Sequence, residues 1–274
     1  NDPHAFSKIG DSTIENPHFL ARFDVGPYNL GEYVYLQPVI DYFAGSYGRQ
    51  SITVQRGLHT WSVFDPTWAD PAQCEPNETA IACEFRLHRP SAVLIRLGAN
   101  DPGLPDLFTD NLRHIVTYSL EQGVIPVLGT KSDRREGPTL DYNMIIRGMA
   151  AEYEVPLWDF DLVAQTLPDR GLTSDLVHMS FFWAHDYHQD LALRRGHGVH
   201  NLTALMMLDA LWWEIAPNRP DSGPVDEQHP PTSGTPTTTP DRTALPTVLP
   251  TATPTAEGSA TPATQDTNTP PVTQ

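Results

Sequence analysis

Four short stretches of this chain carry residue types that can do chemistry together. Residues 10–12 read Gly10-Asp11-Ser12, a hydroxyl on a polar turn between a β-prone run and an apolar stretch. Residues 98–103, GANDPG, put Asn100 directly after the apolar run AVLIRL. Residues 171–180, GLTSDLVHMS, set Asp175 three residues before His178. Gly57 stands in QRGLHTW, where a glycine lets a backbone N–H come close to a ligand. A serine hydroxyl near its free pKa is a poor nucleophile and needs an adjacent base. An aspartate near a histidine can hold the imidazole in one tautomer while the far ring nitrogen faces the serine. An asparagine amide donates without carrying charge, which suits an oxyanion forming beside Ser12. Each stretch alone has a plainer meaning: an N-cap serine, an Asx-turn, a surface turn, a turn glycine. Together they would supply a hydroxyl, a base with its orienting partner, and donors for a developing anion.

The elements that must position these residues alternate along the chain. Five β-type runs are visible: AFSKI before Gly10, SITVQ at 51–55, AVLIRL at 92–97, VIPVLGT at 124–130 and VPLWDF at 155–160. Continuous apolar runs with helices between them predict a parallel sheet covered on both faces. Helical spacing joins Leu36, Val39, Ile40 and Phe43, then Leu112, Ile115 and Val116 before the stop Gly123, then Tyr142, Ile145, Ile146, Met149 and Tyr153. The last helix starts from Asn201 as N-cap candidate and buries Leu205, Leu208, Trp212 and Ile215, with Pro217 and Pro220 after it. Strand–helix alternation predicts a three-layer α/β domain, and ligands of such sheets bind beyond the carboxyl ends of the strands. Ser12, Gly57 and Asn100 each follow a β-run, and Asp175 and His178 follow the last one after a short helix.

Serine, glycine, asparagine and Asp-x-x-His in this order resemble the SGNH/GDSL hydrolase family, over roughly residues 6–215. YNLGEYVYLQPVIDYF, AAEYEVPLWDF and NLTALMMLDALW are similar to a bacterial branch of it. The resemblance implies a flavodoxin-like fold with about five parallel strands between helices. It implies Ser12 as nucleophile, His178 as base and Asp175 as its orienting partner. The implied oxyanion donors are the backbone N–H groups of Ser12 and Gly57 and the side chain of Asn100. Thr13 stands where the family often has leucine, Lys8 interrupts the first strand with its stem expected along the sheet edge, and Arg56 and Leu58 flank Gly57. His200, directly before the last helix pattern, is an alternative base, but its third upstream neighbour is His197 rather than a carboxylate.

Residues 181–197 read as an insertion before that helix. The region 178–200 holds five of the chain's 11 histidines. His185, Asp186, His188 and Asp190 have metal-ligand chemistry, but without distinctive spacing the expectation is a solvent-facing lid and no metal. Phe181, Phe182 and Trp183 are expected to pack the insertion onto the domain rather than line a pocket.

The totals bound the rest. Net charge is −17, which argues against nucleic acid as a partner. No run of 18 apolar residues is present to span a bilayer. Residues 221–274 contain 11 Pro and 15 Thr and no Phe, Trp or Tyr, so they are expected to be a disordered tail linking a domain at 1–220 to a cell wall or another domain. Cys74 and Cys83 are the only cysteines and are expected to close a disulfide loop, fitting an oxidising compartment. The chain starts at Asn1, implying a removed leader or a fragment, and the expected location is extracellular or at the cell surface. The function expected is a cofactor-independent serine esterase acting on a small acyl ester, a lipid-like ester or an acetylated glycan. An acyltransferase to a sugar hydroxyl and a non-catalytic cell-surface binding module are the alternatives.

Overall fold

The computed structural model of the protein describes residues 1–101, 103–137, 140–183 and 185–216. Four parallel strands, β1 (Asp2–Gly10), β2 (Pro90–Arg96), β3 (Ile125–Gly129) and β4 (Leu157–Trp158), are hydrogen-bonded in the order β1-β2-β3-β4. The helices are α1 (Arg22–Val25), α2 (Gln37–Tyr42), α3 (Ala80–His88), α4 (Pro105–Glu121), α5 (Tyr142–Tyr153), α6 (Phe160–Ala164) and α7 (Gly196–Ile215). Successive strand residues point to opposite faces, and two apolar clusters follow. Phe6, Leu94, Val127 and Trp158 pack with residues of α2, α6 and α7. Ile9, Val93, Ile95 and Leu128 pack with residues of α3, α4 and α5. Burial on both sides is why the strands read as continuous apolar runs.

The second expected strand is not one. Residue 54 makes a single parallel bridge to Gly10, and residues 52 and 53 form a turn. The buried carboxylate of Glu84 on α3 accepts from the Ile52 N–H at 2.6 Å, and the Thr53 hydroxyl donates to the Lys8 carbonyl at 2.7 Å. These bonds satisfy groups that a strand ladder would otherwise hold, so among the described residues the sheet has four strands rather than five.

Ser12 opens a 3-10 turn (Ser12–Ile14). Two further expectations are corrected. Helix α7 starts at Gly196, so Asn201 is buried inside it; its Oδ1 accepts from the Leu20 N–H and its Nδ2 donates to the His18 carbonyl at 3.0 Å. Lys8 is buried rather than laid along an edge, and its ammonium donates to the Tyr47 carbonyl at 3.0 Å and the Asn16 side chain at 3.3 Å. Burial, followed by the charge of Arg49, brings its pKa down to about 8. Cys74 and Cys83 are bonded, with Cα atoms 5.4 Å apart. No helix among the described residues is long and apolar enough to cross a membrane. The tail expected at 221–274 lies outside the described residues.

Strands β1, β2 and β3 end at Gly10, Arg96 and Gly129, so the segments that follow them meet on one edge. At Gly10 no side chain fits: a Cβ would lie 2.4 Å from Ile14 Cδ1 and 2.7 Å from the Arg96 carbonyl oxygen. Gly10→Ala should therefore destabilise the fold by about 1–3 kcal/mol through forced backbone shifts. Denaturant unfolding measures this; a change within error would mean that the turn carrying Ser12 yields freely.

Candidate active site

The turn after β1 is set by Asp11. Its fully buried carboxylate accepts from the Thr13 N–H at 2.8 Å, and the Ile14 N–H donates to its backbone carbonyl at 3.1 Å. Burial raises the Asp11 pKa, opposed by the Thr13 bond and the charge of Arg96. The second Asp11 oxygen accepts from Asn100 Nδ2 at 3.3 Å, and the same amide donates to the Leu58 carbonyl at 3.2 Å. The turns carrying Ser12 and Asn100 are thus tied to each other and to the residue after Gly57. Gly57 has φ +77° and precedes this buried Leu58.

From the other end of the chain, His178 Nε2 lies 2.9 Å from Ser12 Oγ. Its Nδ1 is 2.7 Å from Asp175 Oδ2. The other Asp175 oxygen accepts from the Thr173 hydroxyl at 2.7 Å and from the Val177 and His178 N–H groups at 2.9 Å each. Burial pushes the Asp175 carboxyl up, but these bonds outweigh it and hold the group well below the usual carboxylate range. A carboxylate kept ionised at Nδ1 places the imidazole proton there and leaves Nε2 free to accept from the serine. Asp175 and His178 are half exposed, at 49% and 45%, so the site opens to solvent.

Ser12 and His178 line two clefts. One, of about 570 Å³, also has Asn100, Asp175, Arg134 and Arg135 in its walls. The other, of about 400 Å³, is walled by His18, Phe181 and His197, with the Glu15–Arg56 ion pair, 2.8 Å, at its side.

The structure brings Ser12, Asn100, Asp175 and His178 together and leaves His200 out. His200 is fully buried in α7, its ring 4.5–4.9 Å from those of Phe160, Trp158 and Phe19. The inserted segment is only partly the expected lid. Phe182 and His185 turn into the core, whereas Phe181 and Trp183 stand exposed and Phe181 lines the smaller cleft. His188 Nδ1 lies 3.8 Å from Asp186 Oδ1, but among the described residues no three of His185, Asp186, His188 and Asp190 gather within ligating distance. The sequence reading missed Thr173, His18, His197, Arg134 and Arg135. For Thr173 a signal existed: threonine and aspartate are both turn formers whose side chains bond locally. His18 and His197 meet only in space, with ring centroids 5.3 Å apart.

No protein-family model matches the sequence, and no curated protein does. Solved structures do. A catalytic mutant of the acetylxylan esterase Axe2 from Geobacillus stearothermophilus is 18% identical, covering 74% of this chain and 93% of that one, TM-score 0.45. A lipase/acylhydrolase from Enterococcus faecalis is 16% identical over 79% of this chain and 99% of that one, TM-score 0.47. The enzyme LAE5 from the metagenome of Lake Arreo is 14% identical over 76% and 95%, TM-score 0.44.

Two buried imidazoles set a pH dependence of stability. Burial, then the charge of Arg96, holds His200 well below its ordinary pKa; burial, then His18, brings His197 to about 4. The unfolded chain binds protons at these sites from about pH 6.5 downward while the folded chain does not. Stability contributed by the neutral rings is therefore full above pH 6.5 and lost as pH falls toward 4. His200→Phe should reduce the loss of unfolding free energy between pH 7 and pH 4.5; an unchanged slope would remove His200 as a source.

Proposed function

We propose that the protein is a serine esterase of the SGNH/GDSL type, with Ser12 as nucleophile, His178 as general base and Asp175 as its orienting carboxylate. The observation that carries this is the continuous chain of hydrogen bonds from Ser12 Oγ through the imidazole to Asp175, 2.9 and 2.7 Å. As Ser12 Oγ attacks an ester carbonyl, its proton passes to His178 Nε2 and the resulting imidazolium faces the Asp175 carboxylate. Negative charge collects on the carbonyl oxygen, where the Ser12 and Gly57 N–H groups donate, joined by the Asn100 amide as it gives up its 3.2 Å bond to the Leu58 carbonyl. Collapse of the tetrahedral intermediate breaks the bond to the alcohol, which leaves with the His178 proton. Water, deprotonated by the same nitrogen, then releases the acid and restores Ser12.

Two features support an extracytoplasmic setting: the Cys74–Cys83 bond, which persists in oxidising compartments, and the Thr- and Pro-rich sequence after the domain at 1–220. The stretch 221–274 then serves as a linker to a wall or another domain.

Kinetics on a short-chain aryl ester test the assignment. His178→Ala should abolish hydrolysis. Asn100→Ala should lower kcat about 10²–10³-fold, the usual cost of one oxyanion donor. His200→Phe should keep most of the activity. Full activity in His178→Ala, or loss confined to His200→Phe, would contradict the proposal.

A further inference from the structure

Phe181 and Trp183 follow His178 closely and hold large apolar rings in solvent, at 53% and 48% exposure. Phe182 between them is only 7% exposed and turns inward, while the rings of 181 and 183 both stand on the solvent side. Their ring planes are 7° apart and their centroids 5.3 Å apart. Imidazoles back the pair: His18 lies 4.4 Å from the Trp183 ring and His197 5.5 Å from the Phe181 ring. Burial lowers the pKa of both histidines, so this backing is uncharged at neutral pH.

Phe181 walls the 400 Å³ cleft onto which Ser12 and His178 open, and Glu15 and Arg56 line the same cleft. One part of the cleft is the Phe181 ring, with Trp183 stacked parallel to it just beyond the lining; another is charged and rich in donors and acceptors. A lipid chain would cover the rings but set its methylenes against Glu15 and Arg56, whose hydration it could not replace. A pyranose fits both. Its C–H face packs on an aromatic face, and its hydroxyls at the edge reach carboxylate, guanidinium and imidazole. We infer that Phe181 and Trp183 form a sugar-stacking subsite beside Ser12, so that the ester cleaved is one borne on a pyranose ring. This rests on the esterase role of Ser12.

The test compares wild type, Phe181→Ala and Trp183→Ala on glucose pentaacetate and on methyl acetate, which carries the same acyl group without a ring. Each substitution should lower kcat/KM for glucose pentaacetate at least tenfold more than for methyl acetate, mainly through KM. Trp183→Phe should recover most of the difference. Equal losses on the two esters would reduce the pair to packing and overturn the subsite, as would an unchanged preference. Failure of the esterase role reads differently: the wild type would cleave neither ester. In that case binding decides, with Ser12→Ala protein titrated with glucose pentaacetate and followed by NMR. Saturable binding weakened at least tenfold by adding Trp183→Ala supports the subsite; no binding, or binding indifferent to that change, overturns it.

Discussion

A 2.9 Å hydrogen bond joins the side chains of Ser12 and His178, 166 residues apart. Nothing local produces that contact. It needs β1 to end beside β2, the Asn100 turn to lock onto Asp11, and the segment after α6 to return to the carboxyl edge of the sheet. Parallel strands make this possible because every strand delivers its following segment to the same edge. The imidazole is in turn fixed by a five-residue spacing: Thr173, Asp175, Val177 and His178 form one turn in which the carboxylate accepts from three groups besides the ring nitrogen.

Behind this edge lies a charged layer that a hydrophobic core alone would not supply. Lys131 is fully buried with Asp133, 2.9 Å away, and Glu136. Burial would raise the Asp161 carboxyl, but Arg147, Arg134 and Arg170 bring it to about 2. Arg96, at the end of β2, is fully buried, and its charge faces Asp133, Asp11, Asp161 and Glu136. Breaking one partner of such a layer leaves an uncompensated charge, which commonly costs 3–5 kcal/mol. Those costs hold the segment after β3 in place, and that segment brings Arg134 and Arg135 to the larger cleft.

Ser12, Asn100 and Asp175/His178 were legible because each is a short pattern at a strand end or within one turn, and local spacing is what a sequence displays. The parallel sheet was legible from its apolar runs for the same reason. SITVQ was misread because its alternation suits a strand, while the group that captures it, Glu84, sits 32 residues away from Ile52 on a helix. The start of α7 was misplaced because Asn201 has N-cap chemistry, yet its side chain serves Leu20 and His18 instead. Upstream, Gly196 and Gly198 lie against the Gly171 and Ala192 carbonyls, where a Cβ would come within 1.9 and 2.0 Å. Only glycines allow the helix to begin there, a tertiary fact. Phe181 and Trp183 looked like packing residues because aromatics usually are; their exposure depends on where the segment crosses the cleft.

The proposed esterase reaction turns on a covalent step at one atom, Ser12 Oγ. Incubating the folded protein with a fluorophosphonate and mapping the adduct by mass spectrometry tests that step directly. Ser12 should be modified stoichiometrically, with the adduct abolished by Ser12→Ala and its formation strongly slowed by His178→Ala. Folded wild-type protein that stays unmodified, or carries the adduct on another residue, would contradict the nucleophile assignment.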